Sequence, residues 1–318
     1  MDEQESVTLL AKWLNKNMSN DTRSLWLGSL GVLFFALTLP MTRLATGSAL
    51  EPNLSPWFVS FGRAALAGIF SLVYLLVAKP PWPQREDYLS LSCAALCNVL
   101  GWPILLALGL LYVESVHASV ITGILPLATA VMAALVFRRK PSLGFWLCAI
   151  VGTLLVIAFA WLRGTSSSAS AHWADFLILM AVLCAACGYA VGARLSQRWP
   201  GEIVICWMLV LLIPITFSGT IINWPTSPIP MRSWVGFFYV SIFSMWLGMF
   251  VWYRALALGD AVRVSQLQLM QPFLSIMFSV PLLGESVDAV TLMFGLGVMI
   301  TVFLAKRMPI HDQVAPCR

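Results

Sequence analysis

Charge is what this chain lacks. Of its 318 residues only 10% are charged, whereas 59% are hydrophobic, 14 are Trp and 18 are Phe. Soluble chains carry about 25% charged and about 45 to 50% apolar residues. Too little polar surface remains to face water, which reads against a soluble enzyme. Apolar/polar alternation is missing as well. The apolar runs continue for about twenty residues without it, and in hydrocarbon every backbone N–H and C=O must find an internal partner, so spanning helices are selected over a closed barrel. No small-residue cleavage pattern follows the first apolar run, which starts near Leu25 after a polar tail, so that run is expected to stay as a span. A disulfide framework is not expected. Cys93, Cys97, Cys148, Cys184, Cys187 and Cys206 lie inside apolar segments, where a thiol behaves as a small hydrophobe, and Cys317 lies in the C-terminal tail. Cys184 and Cys187 read as a lone CxxC with no second ligand pair, so neither a metal nor a cofactor is implied.

What is there is a series of ten apolar spans, at 25–44, 57–78, 88–112, 116–137, 143–162, 173–193, 203–222, 234–258, 262–283 and 289–305. They are separated by Pro80, Pro81 and Pro83, by Arg138 to Pro141, by the Ser-rich stretch 166–170, and by Pro225, Pro228 and Pro230. With the N-terminus in the cytoplasm, the inner segments hold Lys12, Lys16, Arg23, Lys79, Arg85, Arg138, Arg139, Lys140, Arg194, Arg198, Arg254, Arg263, Lys306, Arg307 and Arg318. Arg43, Arg163 and Arg232 fall outside, and Arg63 lies within the second span. Short loops rich in Lys and Arg stay in the cytoplasm, so both termini are expected there. The net charge of +5 is then an orientation signal and not a nucleic-acid site. Residues 7–16 read either as a short interfacial helix or as a tail.

The chain also repeats itself. An offset of 146 residues aligns LLYVESVHASVITGILP, ending at Pro126, with LALGDAVRVSQLQLMQP, ending at Pro272. Val116 meets Val262, Ser119 meets Ser265, and Glu114 meets Asp260 in one register. Five spans per half is an odd number, so the halves must cross the membrane in opposite senses, as in carriers built from inverted repeats. The residues SFGRAALAG around Arg63, the run WYRALALGDAVRVSQLQLMQP and the LLGE ending at Glu285 resemble the drug/metabolite transporter superfamily, EamA-type branch. The resemblance covers 24–306. It implies an all-α polytopic fold of ten transmembrane helices in two inverted five-helix repeats, 24–162 and 173–306, joined by an external linker at 163–172, with cytoplasmic tails at 1–23 and 307–318. It implies transport of small metabolites around a central cavity. The first half departs from the pattern, with VFRRKP where the second has LLGE.

The candidate site residues come from helical geometry. At 100° per residue Ser115, Ser119, Thr122 and Thr129 share an arc of about 80°, and Ser265, Gln268, Gln271, Ser275 and Ser279 share about 120°. Three pairs keep the 146 offset: Ser119 with Ser265, Thr122 with Gln268, and Thr129 with Ser275. Such stripes read as a polar cavity wall or as helix packing, with the amides Gln268 and Gln271 pointing more to function. Pro126 and Pro272 are candidate hinges, since each removes a helical hydrogen bond. Asn98 and Trp102 lie one turn apart, and the offset places Ser244 opposite Asn98. Arg63 lies about 12 Å into its span, either as a snorkelling anchor or as a partner for a substrate carboxylate. His117 reads as an interface residue and Gly188 with Gly192 as a close-packing GxxxG.

No carboxylate is expected deep in a span, because Glu114, Asp260, Glu285 and Asp288 sit at span ends. A proton-coupled exporter of organic cations would need a buried acid, and a carrier of sugar phosphates or nucleotide sugars several buried cations. The reading is therefore efflux of an amino acid or related solute across the inner membrane. Its rivals are a membrane-embedded lipid-modifying enzyme and a non-transporting scaffold. The partners expected are the solute and the bilayer, with a monomer sufficient and a homodimer the alternative.

Overall fold

The structure is a computed structural model, and it describes residues 20–136, 140–164, 169–258, 266–308 and 310–311. Stretch 7–16 and the repeat residues Asp260, Val262 and Ser265 lie outside the described residues. Six helices are long and apolar enough to cross a bilayer by length and composition: Thr22–Thr46, Pro56–Ala78, Asp87–Gly109, Ser115–Val136, Trp173–Leu195 and Met231–Ala255. Gly201–Leu211 and Ile213–Ile222 form a pair bent by 50°, and Leu143–Phe159, Leu267–Leu283 and Ala289–Ala305 are shorter apolar helices. Taken in chain order, with the bent pair as one, these are the first to tenth segments below.

Local sequence explains where they start and stop. The second segment opens on Ser55, whose hydroxyl accepts from the Trp57 N–H, followed by Pro56 in the first turn. It closes on Lys79, which takes a left-handed conformation at φ 46° just before Pro80. The tenth opens on Asp288, whose carboxylate accepts from the Thr291 N–H. Along the fifth segment Leu147, Ile150, Val151, Leu154 and Ile157 are exposed at helical spacing. An outward apolar stripe of this kind suits lipid and not water.

Packing follows the repeat. The first segment packs on the eighth and the third on the sixth, two contacts that the 146 offset exchanges. The second packs on the seventh, the fourth on the ninth and the fifth on the tenth, so each of these pairs joins a segment to its own repeat mate. That pattern is an approximate two-fold axis running between the fourth and ninth segments. The halves therefore interlock, and the core is shared. One apolar cluster gathers around Leu106, Ile121, Phe159, Ile178 and Val298, another around Val32, Phe35, Met208, Leu209 and Met245.

The loops sort onto two faces. On one, Asp87 accepts hydrogen bonds from Arg198 Nη1 at 3.3 Å and Trp199 Nε1 at 3.2 Å. On the same face Lys140 pairs with His311 and Pro141 with Ile310 in a two-residue ladder. On the other face Ala49 N–H bonds to the Leu111 carbonyl, Arg43 donates to the Leu110 carbonyl, and Ser233 Oγ donates to the Leu44 carbonyl.

Candidate functional site

Four prolines shape the interior. Proline has no N–H for the carbonyl four residues earlier, so Pro40, Pro103, Pro126 and Pro272 leave the carbonyls of Ala36, Val99, Thr122 and Gln268 without their helical donors. In the first segment the helix breaks at Leu37, between Asn20–Ala36 and Thr38–Thr46. The Ala36 carbonyl takes its bond from Ser275 Oγ of the ninth segment instead, at 2.7 Å. In the third, the stretch Leu96–Gly101 before Pro103 widens into a π-helix. The fourth is interrupted between Ser115–Thr122 and Leu125–Val136, and in the ninth a 3₁₀ stretch, Gln266–Met270, precedes Gln271–Leu283. The helix is thus broken at both Pro126 and Pro272.

These two breaks meet. Thr122, Leu125 and Pro126 face Gln268, Gln271 and Pro272, their mates at the 146 offset, across a cavity of about 10 Å³ closed by Leu39 and Ser275. That is room for about one water. Gln268 is buried and Gln271 half-buried, and among the described residues neither amide has a hydrogen-bond partner. Of the other stripe members, Ser115 Oγ and Thr129 Oγ1 are buried without a hydrogen-bond partner among the described residues, and three are engaged on their own helices. Ser119 Oγ donates to the Ser115 carbonyl at 2.7 Å, Thr122 Oγ1 to the Ser119 carbonyl at 3.2 Å, and Ser279 Oγ to the Ser275 carbonyl at 2.8 Å.

Next to Leu39 a polar network begins. Thr38 Oγ1 lies 2.7 Å from Ser244 Oγ, which accepts from Arg63 Nη2 at 3.1 Å. Arg63 is 2% exposed, so it does not snorkel, and its Nε is buried without a hydrogen-bond partner. Ser244 sits in a second π-helical stretch, Tyr239–Gly248, at the offset position of Asn98 in the first. π-Helical stretches recur at functional sites, and here they occupy matching places in both halves. Asn98 is 3% exposed and its Nδ2 is unpartnered. A Cβ on Gly188 would stand 2.4 Å from Asn98 Cγ, so the glycine makes room for the amide, and Gly192 packs likewise on the Tyr253 hydroxyl. Asn98 therefore borders the sixth segment at Gly188. Trp102 is half-buried and packs beside Leu105 and Tyr189 on the first apolar cluster, away from the cavity lining.

The structure corrects two readings. Asp175 in the sixth segment is a buried carboxylate, and its Oδ1 lies 2.6 Å from His117 Nε2. His117 is half-buried near the start of its segment and pairs with this carboxylate of the other half, so it is not simply an interface residue. The CxxC of Cys184 and Cys187 does not stand alone either, for the Cys93 and Cys97 sulfurs of the third segment lie within 4.8 Å of that of Cys187. Sequence reasoning also passed over Thr38, Pro40, Tyr189 and Tyr253. Pro40 and Asp175 were visible as a proline and an acid inside apolar runs.

The LLGE sequence has a structural job. Gly284 turns the chain at φ 70°, and the Glu285 carboxylate then accepts from the N–H groups of Ser115 at 2.9 Å and Val116 at 2.8 Å. It caps the fourth segment with an acid from the other half. Burial pushes the Glu285 carboxyl above its usual range, against the two N–H bonds and nearby Arg43. Around it Arg43, Glu51, Glu114 and Arg232 line an open hollow of about 310 Å³.

Comparison with known proteins agrees with this architecture. The EamA-like transporter family matches the chain twice, over residues 22–162 and 172–306. The uncharacterized transporter YdeK of Bacillus subtilis (strain 168) is 38% identical over 293 residues, covering 91% of this chain and 99% of that protein. The uncharacterized transporter YyaM of the same organism is 23% identical over 240 residues, 73% of this chain and 77% of its own. A solved structure at 13% identity superposes with a TM-score of 0.62 over 91% of this chain and 99% of the other, which supports the fold. With a buried polar centre between two interlocked repeats and a family match over both, the chain belongs to the EamA-like transporter family and is a multi-pass membrane transporter.

Proposed function

We propose that the protein is a secondary transporter that exports a small zwitterionic metabolite, an amino acid or related solute, across the bacterial inner membrane. In this reading all ten segments cross the bilayer, five per half in opposite senses. The Asp87 face is cytoplasmic, as the distribution of Lys and Arg supports. The solute path crosses the two-fold axis, which for halves of opposite sense lies in the membrane plane, and the halves rock about the breaks at Pro126 and Pro272, where freed carbonyls leave the helices weakest in bending.

The observation that carries this reading is the buried, incompletely bonded polar set at mid-bundle. Arg63 with its open Nε and Asn98 with its open Nδ2 are buried in the interior, and Gln268 and Gln271 line the cavity at the ninth-segment break. Buried polar groups normally find partners, and those left open inside a membrane protein favour a ligand as the missing partner. A carboxylate on Arg63 and an ammonium near the amide oxygens and freed carbonyls would satisfy them together. Thr122 and Ser275 then shape the wall beside the glutamines, with Ser119 one turn behind Thr122.

The test is substitution of the amides. Gln268→Leu and Gln271→Leu keep side-chain bulk, so folded protein in the membrane should stay within about twofold of wild type. Transport per folded molecule should fall by up to about tenfold, the equivalent of one neutral hydrogen bond. Wild-type transport rates in both variants would assign the amides to packing.

A further inference from the structure

The third and sixth segments bring together a cluster of thiols that the transport path does not use. Cys93 and Cys97 stand one helical turn apart on the third segment, and their sulfurs and that of Cys187 all lie within 4.8 Å of one another. Cys93 is exposed on the apolar outer surface, and Cys97, Cys184 and Cys187 are half-buried. Cys97 belongs to the π-helical stretch that holds Asn98.

We propose that Cys93, Cys97 and Cys187 form a three-sulfur site for trivalent arsenic or antimony. Thiolate sulfur selects soft ions, and the surroundings select among them by charge. Three thiolates on a monovalent or divalent ion would leave net negative charge in hydrocarbon, which is costly. A trivalent centre cancels it. Arsenous acid, As(OH)₃, reacts with three thiols to give three As–S bonds and three waters. Each thiol proton leaves with one hydroxide of the acid, no electron changes hands, and the product is neutral. Three ligands and a lone pair complete the arsenic, so no fourth protein donor is required, and Cys184 serves as a neighbour. Arsenous acid is itself uncharged and can reach the cluster from the lipid side, about 9 Å along the helix from Asp87. Once bound it ties the third segment to the sixth, across the two halves, at the π-helical stretch.

The test uses the full-length reduced protein in detergent, incubated with sodium arsenite and passed through a desalting column. Elemental analysis should find about one arsenic per chain, removed by a small dithiol, and ultraviolet absorption should show As–S bonding. Cys97→Ser and Cys187→Ser should each weaken retention by more than about tenfold, since one of three soft ligands is lost. Cys148→Ser and Cys206→Ser, outside the cluster, should retain it. If serine at 97 spoils folding, Cys93→Ser on the outer surface gives the same reading. No retention by the wild type would overturn the proposal. So would retention that survives Cys93→Ser and Cys97→Ser yet is lost in Cys184→Ser, which would make the CxxC alone the site.

Discussion

Arg63→Gln is expected to raise the apparent KM for a carboxylate-bearing solute by about 10- to 100-fold, while changing that for its amidated analogue by less than about twofold. The range follows from a charge-assisted hydrogen bond worth about 1.5 to 3 kcal/mol, at about 1.4 kcal/mol per factor of ten. Arg63 is already buried beside Ser244, and its desolvation cost is borne by the fold whether or not solute is present. Removing the charge should therefore leave insertion and folding intact or improved. Arg63→Lys should rescue only in part, because an ammonium keeps the charge and loses the planar fork that matches a carboxylate. Uptake of the acid and the amide by reconstituted vesicles separates the cases. Identical ratios for wild type and Arg63→Gln would remove the carboxylate role.

Glu285→Ala is expected to lower unfolding stability by about 1.5 to 3 kcal/mol, because two N–H groups at the start of the fourth segment lose a charged acceptor. Glu285→Gln should cost less. It keeps one acceptor oxygen and removes a buried charge, whose desolvation already raises the carboxyl above its ordinary value. Exposed Glu51 on the same face is the control, and Glu51→Ala should stay within about 0.5 kcal/mol. Chemical denaturation in one detergent gives all three numbers. Equal stability for Glu285→Ala and Glu51→Ala would mean that the LLGE carboxylate caps nothing of consequence.

The parts of this molecule that were legible in the sequence are those that depend on neighbours along the chain. Lipid demands long apolar helices, so the segments announce themselves, and Pro126 and Pro272 break their helices whatever surrounds them. The paired stripes were legible as a face but not as a fate. Whether a serine bonds its own helix, as Ser119 does, or reaches across the bundle, as Ser275 does to Ala36, depends on what stands opposite. Distant partners account for what was missed. Ser275 and Ala36 are 239 residues apart, His117 and Asp175 are 58 apart, and the two cysteine pairs come from different halves. The lone CxxC and the interface histidine were local readings of groups whose chemistry is set by another segment.

Counterflow tests the central claim, that the two interlocked halves carry a zwitterionic solute past the polar centre in turn from side to side. Vesicles holding purified protein and preloaded with an unlabelled amino acid are diluted into a trace of the labelled one. A carrier with alternating access gives a transient internal overshoot of label for at least one neutral amino acid, and Gln268→Leu with Gln271→Leu flattens it. Simple equilibration of label without overshoot across the amino-acid panel, or an overshoot of the same height in the double variant, would contradict the account.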